Sequence, residues 1–321
     1  MSYFSEKYLK KIRIGNITLK SNVFSAPLAG YTCYPFRIMC HNLGAGLTFT
    51  EMVSANGLKY NDNATEKLLF TTESEYPKAV QLLGAEPSVF EHTCRCENIQ
   101  KFDIININMG CPVPNVIKSN AGCALMNDMT RASQIIKACK RSGKPVTVKC
   151  RIGMNSNTIN IVEFAKMCED SGADMIAVHA RTRNMMYSGE PLYEHIADAK
   201  AFIKIPVIAN GGVDSEEKAI EMMKNTGADG VMLGRYGFEN PLIFAHLCGR
   251  ELTETKKSLL LSQIKLTADY YDEFFTLCYI KKLASYFMKK QHGTKKYKQD
   301  LYACGNLNEL ENIIEKIFAE D

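Results

Sequence analysis

Cys111 is the side chain in this sequence that is best placed to react. It follows an apolar run in the segment Asn106-Ile107-Asn108-Met109-Gly110-Cys111-Pro112. An Ile-rich run that stops at glycine and proline predicts a buried parallel strand with chemistry at its carboxyl end. A packed cysteine beside an ordinary turn explains this short stretch equally well. The two interpretations can be separated only by what the other predicted strands carry at their ends.

Polar side chains recur at the ends of other predicted strands, namely Gln81, Asn108, Lys149, Arg151 and His179. Five converging polar groups would not stabilise a packed core, but they could form hydrogen bonds to a ligand with polar edges. The last two predicted strands are followed by Asn210-Gly211-Gly212 and Gly234-Arg235. Glycines let backbone amides approach an anion, and an arginine adds charge-assisted hydrogen bonds. These two loops predict a phosphate site where barrels commonly place one.

The elements that must position these side chains alternate along the chain, which predicts a closed (β/α)8 TIM barrel. The predicted strands are residues 23–25, 47–50, 79–83, 104–108, 146–150, 175–179, 207–210 and 230–233. The predicted helices include 130–140, 158–170 and 215–224 and, after the last strand, 256–275, 279–290 and 308–319. An open doubly wound sheet would need a glycine-rich dinucleotide fingerprint, and Ala26-Pro27-Leu28-Ala29-Gly30 is not one.

Length and composition agree with one barrel and an appendage. The chain has 321 residues, of which 46% are apolar, and a barrel takes about 250 residues. We therefore predict a barrel over residues 1–250 and a helical domain over 251–321. The charged first twenty residues and the lack of a long apolar run predict a cytoplasmic protein without membrane contact. The twelve scattered cysteines are expected to be free thiols, and no spacing predicts a metal site.

Positive charge is concentrated near the carboxyl terminus, although the net charge is only 39 − 35 = +4. Residues 278–299 contain no Asp or Glu and carry Lys281, Lys282, Lys289, Lys290, Lys295, Lys296 and Lys298, interleaved with Tyr279, Tyr286, Phe287 and Tyr297. Such a stretch could bind a phosphate backbone and offer aromatic faces to unstacked bases. A solvated helix face is the alternative, since most charge runs have that role.

Taken together, the motifs resemble the tRNA-dihydrouridine synthases, especially the bacterial B-type branch. The matching segments are Ala26-Pro27-Leu28-Ala29-Gly30, Pro35-Phe36-Arg37, Glu51-Met52, Asn106 to Pro112, Ala121-Gly122-Cys123-Ala124-Leu125, Val146 to Arg151, His179-Ala180-Arg181-Thr182-Arg183, Ile205 to Gly211 and Thr226 to Arg235. The similarity runs over residues 12–244 and continues weakly beyond them. The ordered set of motifs is far more specific than any one of them.

The resemblance implies an enzyme that uses FMN, with NADPH or NADH as reductant, to convert a uridine of tRNA to 5,6-dihydrouridine. It implies that the cofactor is held by Pro27, Leu28, Ala29, Gln81, Lys149, His179, Asn210, Gly211, Gly212, Gly234 and Arg235. It implies that the substrate is held by Asn108, Arg151, Lys281 and Lys282. After hydride transfer to uracil C6, Cys111 would protonate C5, which suits a thiol with an ordinary pKa of about 8.5. A monomer is expected.

The sequence departs from the family pattern at Cys33-Tyr34, at Val113-Pro114-Asn115, at Gly212 and at Leu283. Two other functions remain open. One is an FMN barrel, related to dihydroorotate dehydrogenase, that reduces a free pyrimidine. An enzyme of that kind would have no use for the lysine-rich stretch. The other is a non-catalytic RNA-binding protein, which would not need Cys111 or Lys149. No motif excludes ribosomal RNA as the substrate.

Overall fold

The computed structural model describes residues 2–289, 291 and 293–319. Its strands are β1 (Ile12–Ile14), β2 (Ile17–Leu19), β3 (Val23–Ser25), β4 (Met52–Ser54), β5 (Ala79–Leu83), β6 (Ile104–Met109), β7 (Val146–Arg151), β8 (Met175–His179), β9 (Val207–Asn210) and β10 (Gly230–Leu233). The first helices are α1 (Tyr3–Lys7), α2 (Tyr34–Asn42), α3 (Ala55–Lys59), α4 (Asn63–Lys67), α5 (Pro87–Thr93), α6 (Glu97–Gln100), α7 (Pro114–Lys118), α8 (Met129–Lys140) and α9 (Ile161–Asp170).

The remaining helices are α10 (Glu194–Phe202), α11 (Glu216–Thr226), α12 (Arg235–Glu239), α13 (Leu242–Leu247), α14 (Lys256–Ala268), α15 (Glu273–Phe287), α16 (Lys298–Ala303) and α17 (Leu307–Ile317), with 3-10 turns at Gly122–Asn127 and Thr294–Tyr297. Helices α14 to α17 are called the C-terminal helices below. None of the helices in the described part of the chain is long and apolar enough to cross a membrane.

Eight parallel strands form the barrel, in the order β3-β10-β9-β8-β7-β6-β5-β4. A parallel bridge between Phe24 and Leu47 joins the two ends of this sheet. There the Ser25 amide donates to the Leu47 carbonyl at 3.0 Å, and the Gly46 amide donates to the Val23 carbonyl at 2.8 Å. The predicted (β/α)8 barrel is confirmed.

The hairpin β1–β2 closes the amino-terminal end of the barrel. Its side chains Ile12, Ile14 and Leu19 are buried in one apolar cluster with Phe24, Ala79, Ile104, Met175, Ala177, Ile208 and Met232. Ala79, Ile104 and Met175 are each the first residue of their strand, so this cluster lies where the strands begin. Burying it removes apolar surface from water, which stabilises the closed end. The carboxyl end is therefore the end at which polar groups can meet a ligand.

The predicted strand at 47–50 is wrong in position, because the structure places β4 at Met52–Ser54. Thr50 explains the shift. Its amide donates to the Ala79 carbonyl at 3.0 Å, but its hydroxyl accepts from the Gln81 amide at 3.0 Å. The Thr50 hydroxyl therefore accepts the hydrogen bond from the Gln81 amide that a backbone carbonyl would accept in a regular strand. The regular pairing with β5 begins only after Thr50.

The predicted helix at 256–275 is also wrong, since the structure divides it into α14 and α15. Asp272 caps α15, and its carboxylate accepts from the Phe275 amide at 2.8 Å. An aspartate at this position satisfies a free amide of the first turn and starts a new helix. The predicted helix at 279–290 lies in α15 as far as Phe287; Met288 and Lys289 follow the end of α15, and Lys290 lies outside the described residues. The domain boundary at residue 250 stays a prediction.

Helix α15 joins the C-terminal helices to the open end of the barrel. Lys282 donates to the Gly30 carbonyl at 2.6 Å, while the Gly30 amide donates to the carboxylate of Glu51. The hydroxyls of Tyr31 and Tyr286 lie 2.9 Å apart. This set of contacts is called the α15 junction, and it fixes the loop that follows β3.

Candidate active site

A cavity of about 430 Å³ opens at the carboxyl ends of the strands. The side chains and backbone that line it include Pro27, Leu28, Ala29, Gln81, Asn108, Cys111, Lys149, Arg151, His179, Asn210, Gly211, Gly212, Gly234 and Arg235. All the barrel residues predicted for the site are therefore brought together. Their individual roles toward a ligand stay predictions.

Cys111 lies on a tight turn that Asn108 holds in place. The Asn108 amide oxygen accepts from the Gly110 amide at 3.1 Å and from the Cys111 amide at 2.9 Å. A Cβ at Gly110 would lie 3.1 Å from the carbonyl carbon of Cys150, so a side chain there would crowd β7. Burial raises the pKa of the Cys111 thiol, and the Val113 amide and the charge of Arg151 only partly oppose this. At neutral pH the thiol keeps its proton.

Amide side chains on β5 and β6 form a continuous network beside this turn. Gln81 donates to the Asn106 amide oxygen at 2.6 Å and accepts from the Asn108 amide group at 2.8 Å. Asn106 in turn donates to the Thr147 hydroxyl at 2.8 Å. Each amide is thus fixed in orientation, and one N–H of Gln81 is left for a ligand.

Four cationic side chains line the cavity, Lys149, Arg151, Arg181 and Arg235, against the two carboxylates of Asp214 and Glu239. Lys149 donates to the Asn210 amide oxygen at 3.1 Å. Burial, with repulsion from Arg151, lowers the pKa of Lys149 to about 8. Cations held together out of water favour an anionic ligand.

His179 is neutral in this cationic surrounding. Burial and the charges of Lys149, Arg151, Arg181 and Arg235 hold its pKa well below the usual range. Its Nε2 lies 3.2 Å from Nη1 of Arg181. Because a guanidinium can only donate, Nε2 accepts, and the ring proton is on Nδ1.

The loop after β9 requires its glycines. Gly211 and Gly212 have φ values of +116° and +81°. A Cβ would lie 2.7 Å from Cδ2 of His179 at the first position and 2.6 Å from Cγ of Pro191 at the second. The second distance accounts for glycine at position 212, where the resembled family usually has aspartate. A Cβ at Gly234 would meet no heavy atom within 4 Å, so this backbone borders open space that an anion can enter.

The family of the chain follows from its similarity to known proteins. The model of the family described as Dihydrouridine synthase (Dus) matches residues 24–320. The tRNA-dihydrouridine synthase B of Vibrio parahaemolyticus is 34% identical over 302 residues, which is 91% of this chain and 94% of that protein. A probable tRNA-dihydrouridine synthase of Rickettsia conorii is 36% identical over 265 residues, 81% of this chain and 80% of that protein. The chain belongs to the dihydrouridine synthase family.

Solved structures with the same barrel agree with this assignment at the level of the fold. Histamine dehydrogenase from Rhizobium sp. 4-9 has a TM-score of 0.57 at 13% identity, over 82% of this chain and 51% of that chain. An old yellow enzyme homologue from Zymomonas mobilis has a TM-score of 0.53 at 13% identity, over 73% of this chain and 90% of that chain. As a member of the dihydrouridine synthase family, the protein is an enzyme of a flavin-dependent oxidoreductase class.

The two lysines predicted to contact the substrate lie outside the cavity lining. Lys281 donates to the carbonyls of Tyr302, at 3.1 Å, and of Cys304, and Lys282 belongs to the α15 junction. Their contact with RNA stays a prediction. The aromatic faces expected beside them are wrong for Tyr279 and Phe287, which are buried in the core because they form the apolar side of α15.

Several lining residues were missed by the sequence analysis, among them Met52, Arg181, Tyr187 and Glu239. Arg181 could have been found, because it is two residues after His179 in a quoted motif. Tyr187 gave no such signal, since its place depends on the path of the loop between β8 and α10. Among the described residues, no group of three His, Cys, Asp or Glu side chains could hold a metal ion.

Proposed function

We propose that this protein is a tRNA-dihydrouridine synthase that binds FMN, takes its reducing equivalents from NADPH or NADH, and reduces a uridine of tRNA to 5,6-dihydrouridine. The observation that carries the proposal is a protonated thiol, Cys111, in the same cavity as four cations and the glycine loops. Family membership and the names of the relatives support the choice of tRNA.

The donor set fits FMN. Gly211, Gly212, Gly234 and Arg235 would hold its phosphate, because Gly234 borders open space, all four line the cavity and Arg235 supplies a guanidinium. Gln81 and Lys149 would hold the pyrimidine edge of the ring, one as an amide donor and the other as a cation. His179 would lie beside the ring, with Pro27, Leu28 and Ala29 against it. An ammonium with a lowered pKa gains most from a neighbouring anion, which is what a reduced flavin offers.

Bound FMN supplies the hydride that reaches C6 of the uracil. Cys111 donates its proton to C5, and general acid catalysis of this kind contributes about 10²- to 10⁴-fold. The charges of Arg151 and Lys149 favour the thiolate that remains. Arg151 donates from Nε to the Gly110 carbonyl and from Nη1 to the carbonyls of Thr182 and Met186. Its Nη2 would therefore donate to the uracil. Asn108 orients the Cys111 turn and borders the same space.

The test is mass spectrometry of nucleosides from tRNA incubated with the protein, FMN and either NADPH or NADH. A gain of two daltons on uridine is expected, and omission of the nicotinamide should abolish it. Parallel reactions contain ribosomal RNA or free uridine and orotate. Reduction of a free pyrimidine with unchanged tRNA would favour the dihydroorotate dehydrogenase-like alternative. RNA binding without any turnover would favour the non-catalytic one.

FMN affinity is expected to fall about tenfold between pH 7 and pH 9. Lys149 has a pKa of about 8, so it is cationic below that pH and loses its charge above it, and the charged ammonium is the stronger hydrogen-bond donor to the pyrimidine edge of the flavin. The low pKa of His179 keeps that ring neutral across this window. Quenching of flavin fluorescence measures the affinity. Lys149→Arg is the matched control, because arginine stays charged and should flatten the profile.

We further propose that RNA contacts the C-terminal helices at Lys295, Lys296 and Lys298, which are exposed. Alanine at all three is expected to raise the KM for tRNA and to reduce the slope of log affinity against log salt by about two to three. Lys11, Lys20 and Lys204 are exposed at the closed end of the barrel, and their triple alanine variant is the control. Equal loss in both variants would indicate general attraction and no defined RNA surface.

We propose that the active species is a monomer. We propose that it acts in the cytoplasm, where its tRNA substrate is.

A further inference from the structure

We propose that Tyr187 is a positioning residue that holds Arg235 in place for the phosphate of the cofactor. It would thereby set how strongly the site prefers FMN over a flavin without phosphate. This inference rests on the proposed function, because it requires FMN in the cavity.

The Tyr187 ring lines the cavity between two guanidinium groups. The guanidinium carbon of Arg235 lies 5.0 Å from the ring centroid, and that of Arg151 lies 5.5 Å from it. The ring centroid of His179 is 6.4 Å away. Tyr187 therefore connects the arginine predicted at the phosphate with the arginine predicted at the uracil, and both arginines are attracted by its electron-rich faces.

The loop that carries Tyr187 is fixed by the protein before any ligand binds. Arg151 donates to the Thr182 carbonyl at 2.8 Å and to the Met186 carbonyl at 2.7 Å. Arg181 donates to the Gly189 carbonyl at 2.8 Å. Two arginines thus hold the backbone on both sides of Tyr187, so its ring is presented to the cavity from a fixed loop.

The two neighbouring arginines depend on Tyr187 to different degrees. Arg151 has three hydrogen bonds to carbonyls, at 2.7 to 3.0 Å, and keeps them without the ring. Arg235 donates to the Tyr187 carbonyl at 3.4 Å, which is a long hydrogen bond. Its contact with the ring is therefore a main restraint on a side chain that has several rotatable bonds.

Repulsion between Arg235 and its cationic neighbours makes the contact with the Tyr187 ring more important. Arg235 repels both Arg181 and the charged form of His179. Without the aromatic face, Arg235 would be free to turn toward solvent, away from these cations. Loss of the ring should then weaken the contact with the phosphate and leave the contacts with the isoalloxazine unchanged.

The test compares FMN with riboflavin, which lacks only the phosphate. We expect Tyr187→Ala to raise the Kd of FMN about tenfold and to change the Kd of riboflavin by less than about twofold. Tyr187→Phe keeps the ring and should bind both flavins like the wild type. The measurement is fluorescence quenching on titration of each flavin into flavin-free protein, so it does not depend on turnover.

A double-mutant cycle with Arg235→Ala identifies the path of the effect. If Tyr187 acts through Arg235, then Tyr187→Ala adds no further loss of FMN affinity to the Arg235→Ala variant. Equal weakening of FMN and riboflavin would overturn the inference, because it would mean that the ring stacks on the isoalloxazine. Unchanged FMN binding in Tyr187→Ala would overturn it as well. Failure of the wild type to bind FMN would refute the proposed function itself, a distinct result.

Discussion

Cys111→Ala is expected to slow uridine reduction by about 10²- to 10⁴-fold, the usual contribution of a general acid. The thiol is protonated at neutral pH because burial raises its pKa, and the Asn108 side chain fixes its turn. The substitution removes the proton donor and leaves the glycine loops, Lys149 and Arg235 untouched. Single-turnover kinetics with flavin reduced in advance, followed by nucleoside mass spectrometry, measures the loss.

Two control measurements test whether the effect of Cys111→Ala is confined to proton donation. Its FMN affinity and its rate of flavin reduction by NADPH should equal those of the wild type, because the thiol has no part in either. Cys278→Ala is the matched control, since Cys278 is an exposed thiol on α15 and its loss should change nothing. If Cys111→Ala fails to retain flavin, the residue is structural, and the assignment of the proton donor is wrong.

Lys149→Met is expected to weaken FMN binding by about 10- to 100-fold, the range for loss of a hydrogen bond to a charged group. The ammonium is the cation placed between Asn210, at 3.1 Å, and the space predicted for the pyrimidine edge. Methionine fills a similar volume but carries no charge. It also leaves the Asn210 amide oxygen without its donor. Fluorescence titration gives the loss.

The reduced flavin gives a second readout for Lys149. A nearby cation stabilises the anionic reduced form, so Lys149→Met should lower the reduction potential of the bound flavin, and Lys149→Arg should restore most of it. An unchanged potential in the methionine variant would place the stabilising charge elsewhere, with Arg151 as the nearest candidate. Persistence of the pH dependence near 8 in that variant would likewise assign the titration to another group.

The sequence was sufficient to predict the parts of the site that sit on strand ends. Cys111, Lys149 and His179 follow buried Val- and Ile-rich runs, and the alternation of a parallel barrel brings such positions to one rim. The glycines at 211 and 212 follow another strand end, and their positive φ values require glycine; their contact with a phosphate stays a prediction. At these positions the residue pattern along the strand and the place of the strand in the barrel lead to the same prediction.

The errors arose where a side chain competes with the backbone or where a loop decides the geometry. Thr50 and Asp272 each redirect a hydrogen bond, which moves β4 and divides the predicted helix at 256–275. Tyr187 reaches the cavity through a loop whose path depends on Arg151 at the end of β7 and Arg181 in the segment after β8. The RNA role of Lys282 stays a prediction, but its contact with the Gly30 carbonyl, 252 positions away in sequence, could not be predicted from spacing.

The α15 junction connects the C-terminal helices to a loop that lines the cavity. Gly30 is held from one side by Glu51 of the barrel and from the other by Lys282 of α15, and Pro27 to Ala29 immediately before it line the cavity. A ligand that binds these residues must therefore also protect amides of α15 from hydrogen exchange, although it does not touch that helix. Truncation after residue 250 would remove the Lys282 contact that supports this loop, so we expect the truncated protein to bind its ligand more weakly than the full chain.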